Sequence, residues 1–486
     1  MHLFFADVQK VHRVGGVPGL NAAELPGMFA RSAPAAGMPV LLSESMWPVE
    51  PLCSWFRELS LNRRSVKTMR AYAYTALMLL RFLRARGLDL ASATEQDVLE
   101  FRRWRLDDAE ETVSEAAWDR DAAAVGCLYD FLVRQGVVER RPWRSKRRQQ
   151  RSLSSGTRRD LRVRHMELDQ YLYLRDVGFG GLAADGGLDE RFRGWRPHRN
   201  RASCELALLT GMRVQEWSTL LLIELGLLDE RRPRAVDVEL GACAKFGHPR
   251  SVYVPADAMN LLEGYLLLER PDIVAKAQDT LRRAHRELFV VTRLEADGAK
   301  VRGVLDGHTV TRSVRGMDPQ LRRIAVRETG DGLDPLALFI GAGGRMLTAS
   351  GWDRVRWTAW ERMTARATGS TAVVLPRRCW VYHDLRHTFA LRLLIYLTRQ
   401  ALDDGRRQQA PMSTLLDHMS GNPLLQVQRR LGHASPATTY RYIRYLKDPM
   451  REVEEAFRAW TAAGGANYAD IARHLLALEV DDAAPR

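Results

Sequence analysis

The stretch from residue 140 to residue 165, RRPWRSKRRQQRSLSSGTRRDLRVRH, constrains the fold more than any other part of the sequence. It is dense in arginine, has a Ser/Gly centre and contains almost no apolar residue that a core could bury. These properties are typical of a linker. We therefore expect separately folded domains on its two sides, and the length of 486 residues agrees with two or three domains.

The charge of this linker, which we place at residues 144–164, also indicates a partner. Like charges at this density repel one another unless a polyanion neutralises them, and the whole chain carries a formal net charge of +14. A strongly basic protein of this kind fits nucleic acid as its partner. The linker cations that we expect to contact DNA phosphates are Arg144, Lys146, Arg147 and Arg148. A linker that is merely solvated is the alternative interpretation.

The 5 cysteines are scattered, and no pair of them has the spacing of metal ligands or suggests a disulfide framework. This usage predicts a reducing, cytoplasmic location, in association with the nucleoid if DNA is the partner. The N-terminus lacks the basic and apolar regions of a signal peptide. No stretch reaches the roughly eighteen apolar residues of a membrane span, so we expect no membrane contact.

Helical patterns dominate the sequence before the linker. Residues 1–48 are rich in Gly, Pro and Ala and predict a loosely structured extension. Residues 49–143 predict a domain of about four helices, with Thr94 as an N-cap and with helix ends at Gly87 and Gly136. A cluster of cations at the start of its first long helix is expected to contact phosphates, because helix N-termini attract anions. These cations are Arg63, Arg64, Lys67 and Arg70. A solvated basic face is the alternative.

The second domain, residues 165–449, is predicted to be larger and again mainly helical. Three segments, AVDVEL, ACAKF and RSVYVP, alternate or are rich in Val and Tyr, and they predict short antiparallel strands. The predicted fold class is therefore mainly α with a small antiparallel β-sheet. The tail, residues 450–486, predicts two further helices broken at Gly464 and Gly465.

Three potential cations stand at the head of an apolar run in VYHDLRHTFALRLL. His383, Arg386 and His387 are spaced i, i+3 and i+4, so a helix places them on one face. A zinc site would need a glutamate beside the first histidine, whereas this chain has Asp384 there and an arginine that repels a cation. The pattern favours a phosphate, for which Arg386 supplies a bidentate fork and His383 a donor or base, and we predict no metal. Surface cations at a helix start are the alternative.

Other blocks of the same domain carry residues that suit a phosphate site. Arg213 follows a Thr-Gly turn in LLTGMRVQEWSTLLL, and Lys245 lies in the predicted strand region. His433 follows Leu-Gly in VQRRLGHASPATTYRYIRYL. The same block ends in three tyrosines, Tyr440, Tyr442 and Tyr445.

Together these blocks resemble the tyrosine recombinase (phage integrase) family. The T-G-x-R-x-x-E motif of the family is matched by TGMRVQE and its H-x-x-R-H motif by HDLRHTFA. Its third motif, L-G-H followed by T-T and a tyrosine, is matched by His433, Thr438, Thr439 and Tyr442. The resemblance covers roughly residues 50 to 450. Lys245 departs from it by lying in a looser turn, and the long span before Tyr442 indicates an insertion near residues 270–335.

The resemblance implies a site-specific DNA recombinase or integrase of a mobile element. Its N-terminal helical core-binding domain would clamp DNA, and its larger α+β domain would be catalytic. Tyr442 would attack a phosphodiester and form a covalent 3′-phosphotyrosine. Arg213 and Arg386 would hold the nonbridging oxygens, with His433 as a further donor.

The same resemblance assigns the proton transfers. Lys245 would protonate the leaving 5′ oxygen as a general acid, and His383 would accept the tyrosine proton or help to hold the phosphate. His387 is expected to support the site or satisfy the core, and Glu216 to orient an arginine. No metal, cofactor or ATP is required, because arginines supply the positive charge and the covalent link keeps the bond energy.

Recombination cleaves strands of two duplexes, so the resemblance also implies a tetramer on paired double-stranded DNA sites, with room for accessory DNA-bending or directionality factors. The tail has Val453, Ala456, Phe457 and Trp460 at helical spacing, which suits packing on its own domain or on a neighbouring protomer. Two other interpretations stay open. One is a DNA-relaxing enzyme like the type IB topoisomerases, and the other is a DNA-binding protein of the same fold that does not cut.

Overall fold

The structure is a computed structural model that describes most of the chain. The described residues are 1–6, 37–62, 64–108, 112–143, 153, 164–183, 186–228, 232–295, 298–367, 373–407, 422–433, 438–439 and 442. Contacts within the chain divide it into two compact units, Met1–Asp160 and Leu161–Arg486. The division lies inside the stretch 144–164, of which only residues 153 and 164 are described. The predicted tail, 450–486, lies outside the described residues.

Helices make up most of the N-terminal unit. Its described helices are α1 (Leu52–Leu61), α2 (Val66–Arg84), α3 (Glu95–Arg103) and α4 (Glu115–Arg134). Polar caps start α2 and α3: Ser65 accepts from the Thr68 N–H, and Thr94 forms a capping box with Asp97. The predicted helical character of this unit and the Thr94 cap are confirmed. Trp55, Phe56, Phe101, Trp118 and Tyr129 fill the core where the apolar helix faces meet.

The extension at residues 1–48 is more regular at its two ends than its composition predicts. β1 (His2–Phe5) pairs antiparallel with β2 (Pro39–Leu42), and Leu41 is fully buried. The expectation of a loose extension is therefore wrong for these strands. Strands of four residues are too short to show alternation, and their pairing joins parts of the chain that are distant in sequence.

The larger unit is also mainly helical. Its helices before residue 367 are α5 (Leu168–Tyr173), α6 (Pro197–Thr210), α7 (Val214–Ser218), α8 (Ala256–Leu268), α9 (Arg270–Arg283), α10 (Pro319–Arg323) and α11 (Ala349–Arg366). A layer of aromatic rings lies at the centre, where Trp217 contacts both Trp352 and Tyr382. Trp217 follows Glu216 and Tyr382 precedes His383 in the chain, so this buried layer anchors two of the sequence motifs.

A two-stranded hairpin carries Lys245. β3 (Val236–Leu240) pairs antiparallel with β4 (Arg250–Val254), so the predicted strands AVDVEL and RSVYVP are confirmed. The third predicted strand, ACAKF, is wrong, because this segment forms the turn and contains a 3₁₀ helix at Lys245–Gly247. Gly247 has φ of 68°, a left-handed conformation that closes a turn and cannot continue a strand.

Residues 270–335, which we interpreted as an insertion, form α9 and a second, larger sheet. Its strands are β5 (Phe289–Leu294), β6 (Lys300–Leu305), β7 (His308–Ser313), β8 (Ala325–Thr329) and β9 (Gly332–Pro335), in the order β7-β6-β5-β8-β9. β5 and β8 pair in parallel, and the other neighbours are antiparallel. The predicted fold class, mainly α with a small antiparallel β-sheet, is confirmed, although local alternation gave no sign of the parallel pair in this second sheet.

Two further helices complete the described part of this unit. α12 spans Tyr382–Arg407 and α13 spans Pro423–Leu431. Ala390 and Leu394 of α12 pack against Val427 and Leu431 of α13, and the ring of Tyr442 joins this small core. The packing brings the H-x-x-R-H segment next to the L-G-H segment, although they are far apart in sequence.

Candidate active site

Arg213 is placed by a turn that only glycine can make. α6 ends at Gly211, where φ is 61° and an added Cβ would lie 2.4 Å from Cδ1 of Phe389. The chain then reaches Arg213, the N-cap of α7, whose Nη1 donates to Glu216 Oε1 at 2.9 Å. The backbone N–H of Arg213 donates to the other carboxylate oxygen at 2.8 Å. The Arg213 side chain remains 26% exposed, so a ligand can still reach it.

Arg386 is almost completely buried in α12. It donates through Nη1 to the carbonyl of Gly211 and through Nη2 to the carbonyl of Leu431, both at 2.5 Å. Burial, and then Arg213 and Arg250, lower the pKa of Arg386 to about 9, which leaves it charged at neutral pH. A buried cation whose direct hydrogen-bond partners are carbonyls favours the binding of an anion beside it.

The hydroxyl of Tyr442 lies 2.9 Å from Nδ1 of His387. The tyrosine is only 2% exposed. Burial raises the pKa of Tyr442, and the charges of Arg386 and Arg213 act in the opposite direction. These two arginines therefore lie close enough to stabilise a phenolate at this position. The neighbouring Tyr440 lies outside the described residues.

Histidine rings lie on several sides of this tyrosine. The rings of His383 and His387 meet edge to face with their centroids 4.5 Å apart. The ring of His433 lies parallel to that of Tyr442 at a centroid distance of 6.1 Å. His433 is held in turn by Thr439, whose Oγ1 is 3.0 Å from its Nδ1.

All three histidines are neutral at pH 7 in the free protein. Burial, followed by His383 and Arg386, lowers the pKa of His387 to about 3. Burial, followed by Arg386 and Arg213, also lowers the pKa of His433 to about 3, and the same three causes lower the pKa of His383. Each ring therefore offers one N–H to donate and one nitrogen that accepts a proton.

Lys245 is exposed at the tip of the β3–β4 hairpin. Gln215 of α7 donates to the carbonyl of Cys243 at 3.2 Å, which fixes the base of this turn two residues from Arg213. Lys245 also lies close enough to His383 to lower the pKa of that histidine. The looser turn predicted from the sequence therefore still brings the lysine to the arginine and histidine residues.

The six side chains predicted as catalytic lie close together, although only His383 and Arg386 share a described helix. They are Arg213, Lys245, His383, Arg386, His433 and Tyr442.

The predicted DNA contacts are less completely described. Arg64, Lys67 and Arg70 are exposed at the start of α2, where the Arg70 guanidinium lies 4.8 Å from the Phe5 ring centroid. The predicted contacts Arg63, Arg144, Lys146, Arg147 and Arg148 lie outside the described residues.

One residue of this cluster has no counterpart in the sequence predictions. Arg250, the first residue of β4, donates through Nη2 to Glu216 Oε2 at 2.5 Å. Its side chain is 9% exposed. A basic residue at the start of a strand is common on protein surfaces, so the sequence contains no local signal for this buried ion pair.

The structure bears on the histidine pair only through the residues that it describes. Among the described residues, no three His, Cys, Asp or Glu side chains come together as such a group. His383 and His387 share a helix face as predicted, but His387 uses its Nδ1 to contact Tyr442.

In the parts of the chain that the structure describes, no helix has the length and apolar character needed to cross a membrane.

Comparison with known proteins agrees with the motifs. The family model described as "Phage integrase, N-terminal SAM-like domain" matches residues 52–136, the segment that holds α1 to α4. The tyrosine recombinase XerD of Mycobacterium tuberculosis is 26% identical over 402 residues, which cover 80% of this chain and 90% of XerD. XerD of Mycobacterium leprae is 25% identical over the same length. These matches support the resemblance of the chain to the tyrosine recombinase family.

Two solved structures align over most of the chain. The XerH site-specific recombinase in a post-cleavage complex with palindromic difH substrate is 16% identical, covers 93% of each chain and gives a TM-score of 0.47. The Tn1549 transposon integrase in complex with circular intermediate DNA is 14% identical and gives a TM-score of 0.41. That alignment covers 80% of this chain and 93% of the integrase chain.

Proposed function

We propose that the protein is a site-specific recombinase or integrase that cleaves and rejoins DNA strands through a covalent 3′-phosphotyrosine at Tyr442. One observation carries the proposal: the Tyr442 hydroxyl lies 2.9 Å from a neutral His387, within the electrostatic reach of Arg213 and Arg386. A nucleophile, a base and two cations at one point are what in-line attack on a phosphodiester requires.

The arginines meet the largest demand of this reaction, which is the negative charge that builds on the nonbridging oxygens. Arg213 and Arg386 present planar forks that match two such oxygens. Glu216 holds the first fork, and two backbone carbonyls hold the second, so neither has to be ordered during the reaction. His433, fixed by Thr439, adds a further donor.

The protons balance within side chains of the protein. His387 accepts the Tyr442 proton as the hydroxyl attacks phosphorus, the bond to the 5′ oxygen breaks, and Lys245 protonates that oxygen. His383, edge-on to His387, helps to hold the phosphate. The reverse steps join a new 5′ hydroxyl to the same phosphate, so the reaction needs no ATP. Because arginines supply the positive charge, we expect no need for a metal ion.

Double-stranded DNA is the proposed partner. The formal net charge of +14 suits a polyanion, and Arg64, Lys67 and Arg70 offer exposed cations at the start of α2. Exchange between two duplexes requires cleavage of strands on both, which is met by a tetramer on paired sites. Accessory DNA-bending or directionality factors are compatible with such an assembly.

The experiment uses a duplex selected by binding from a random pool and nicked beside the bound site, so that the released fragment diffuses away and traps the cleaved state. We expect a covalent protein–DNA adduct on this duplex in EDTA and without nucleotide. When two intact duplexes that carry the same site are paired, we expect strand exchange. Binding without an adduct would indicate a DNA-binding protein that does not cut. An adduct with relaxation of supercoils but no exchange would indicate a topoisomerase-like enzyme.

A further inference from the structure

Arg250 connects parts of the candidate active site that no sequence motif joins. Its Nη2 donates to Glu216 Oε2 at 2.5 Å, and its Nη1 donates to the carbonyl of Arg430 at 2.5 Å. Glu216 in turn holds Arg213, and Arg430 lies near the end of α13, three residues before His433. Arg250 is also the first residue after the turn that carries Lys245.

The glycine of the L-G-H segment is shaped to this arginine. Gly432 has φ of 62°, and a Cβ added there would lie 2.6 Å from Cδ of Arg250. The stem of Arg250 therefore occupies the space that any larger residue at 432 would need. This contact holds the backbone directly before His433. The hydrogen bond from Arg250 to the Arg430 carbonyl holds the same segment at a second point.

Charge gives Arg250 a second role. Glu216 is fully buried, and if Arg213 were its only partner it would cancel the charge of that arginine. With Arg250, two guanidinium groups share one carboxylate, and one unit of positive charge is left over beside the substrate position. A buried carboxylate needs this pairing, because an uncompensated buried charge is strongly destabilising.

We propose that Arg250 is a positioning residue that holds Arg213, the Lys245 turn and His433 in one rigid frame for cleavage. The inference rests on the proposed function, since it concerns how the same site is assembled. Arg250 acts through its neighbours and is distinct from the groups that touch the phosphate. An arginine suits this role better than a lysine, because the role requires two hydrogen bonds in different directions from one planar group.

The test compares Arg250→Gln, Arg250→Lys and a matched control, Arg302→Gln. Arg302 is an exposed strand residue of the same unit, so its substitution removes the same charge without touching the frame. Single-turnover adduct formation on the nicked duplex gives the cleavage rate, gel shift gives the affinity, and thermal unfolding gives the stability. We expect Arg250→Gln to cleave about a hundredfold more slowly, because small misplacements of catalytic groups cost that much, with affinity little changed.

A second substrate separates positioning from general damage. In a duplex with sulfur in place of the bridging 5′ oxygen, the leaving thiolate needs no proton from Lys245. If Arg250→Gln displaces the Lys245 turn, this duplex restores part of the lost rate, and an unstable protein gains nothing from it. The Arg250→Lys variant keeps the charge but lacks the fork, and we expect an intermediate rate from it.

Several results would overturn the inference. Cleavage by Arg250→Gln at the wild-type rate would disprove the positioning role. Equal losses of affinity and cleavage rate, with no recovery on the sulfur-substituted duplex, would also disprove it. If Arg250→Gln does not fold, the lysine variant decides, and wild-type cleavage by it would disprove the need for a fork. Failure of the proposed function looks different, since the wild-type protein itself would then form no adduct.

Discussion

Substitution of His387 separates two tasks that the proposed reaction gives to this histidine. Its Nδ1 lies 2.9 Å from the Tyr442 hydroxyl, and in the proposed reaction this nitrogen both accepts a hydrogen bond and takes the proton. In His387→Asn, the amide oxygen stands close to the former Nδ1 position and keeps the acceptor, but an amide does not accept the proton at neutral pH. In His387→Leu, both the acceptor and the base are lost.

The magnitudes of the two tasks differ enough to be told apart. The net contribution of a hydrogen bond is about 0.5 to 1.5 kcal/mol, roughly a two- to thirteenfold effect on rate. A general base contributes about a hundred- to ten-thousandfold. If His387 is the base, asparagine and leucine both lower cleavage by about a hundredfold or more. If it only positions the tyrosine, asparagine cleaves almost normally and leucine loses about tenfold.

The assay is single-turnover adduct formation on the nicked duplex, with gel-shift affinity and thermal unfolding measured in parallel. Arg392→Asn is the matched control, because Arg392 lies on the same helix but on its exposed side. We expect the control to cleave like the wild-type protein and both His387 variants to bind DNA normally. Wild-type cleavage by His387→Asn would refute the assignment of His387 as the base.

Three further outcomes are expected. Arg213→Ala and Arg386→Ala should each slow adduct formation by about a hundred- to a thousandfold with a much smaller loss of gel-shift affinity, and equal losses in both would reduce them to ordinary phosphate anchors. Replacing the three exposed cations at the start of α2 with serine should lower the slope of log affinity against log salt by up to about 2.7, and an unchanged slope would place these residues off the DNA. Because burial lowers the pKa values of His387 and His433, the unfolded state binds more protons below about pH 6.5. Stability measured by urea unfolding should therefore fall from about pH 6.5 towards pH 3, by up to about 1.4 kcal/mol per pH unit for each histidine, whereas a flat profile would contradict their buried, neutral state.

Features that depend on neighbours in sequence were predictable here. The Thr94 cap and the i, i+3, i+4 face of His383, Arg386 and His387 follow from residues within one or two helical turns. The positions of Arg213 and Tyr442 beside that face could not be worked out in this way. Their association with this face was predicted only from the resemblance of three short motifs to the tyrosine recombinase family.

Features that depend on distant contacts were missed. Arg250 contacts Glu216 and the carbonyl of Arg430, which are far from it in sequence, and nothing in RSVYVP marks its side chain as buried. The parallel pairing of β5 with β8 requires the chain to return after β6, β7 and α10. The segment ACAKF has the composition of a strand. The chain forms a turn there instead, because the neighbouring Gly247 adopts a left-handed conformation.

The role of His387 shows the same limit within a motif. From the sequence, His387 is predicted to support the site or to satisfy the core. It shares a helix face with His383 and Arg386, and nothing in its sequence neighbourhood assigns it a separate role. The contact on which its proposed role as a base rests is with Tyr442, which approaches from a different segment. Only the packing of α12 against α13 and Tyr442 creates that contact.

If Tyr442 is the nucleophile, the trapped DNA is attached to its side-chain oxygen, and the point of attachment can be mapped. The adduct is digested with trypsin and nuclease, and the peptide that carries a nucleotide is identified by mass spectrometry. We predict a 3′-phosphate linked to the Tyr442 oxygen, and no adduct from Tyr442→Phe, which should still bind the duplex. Attachment to Tyr440 or Tyr445, or an adduct that persists in the phenylalanine variant, would contradict the account.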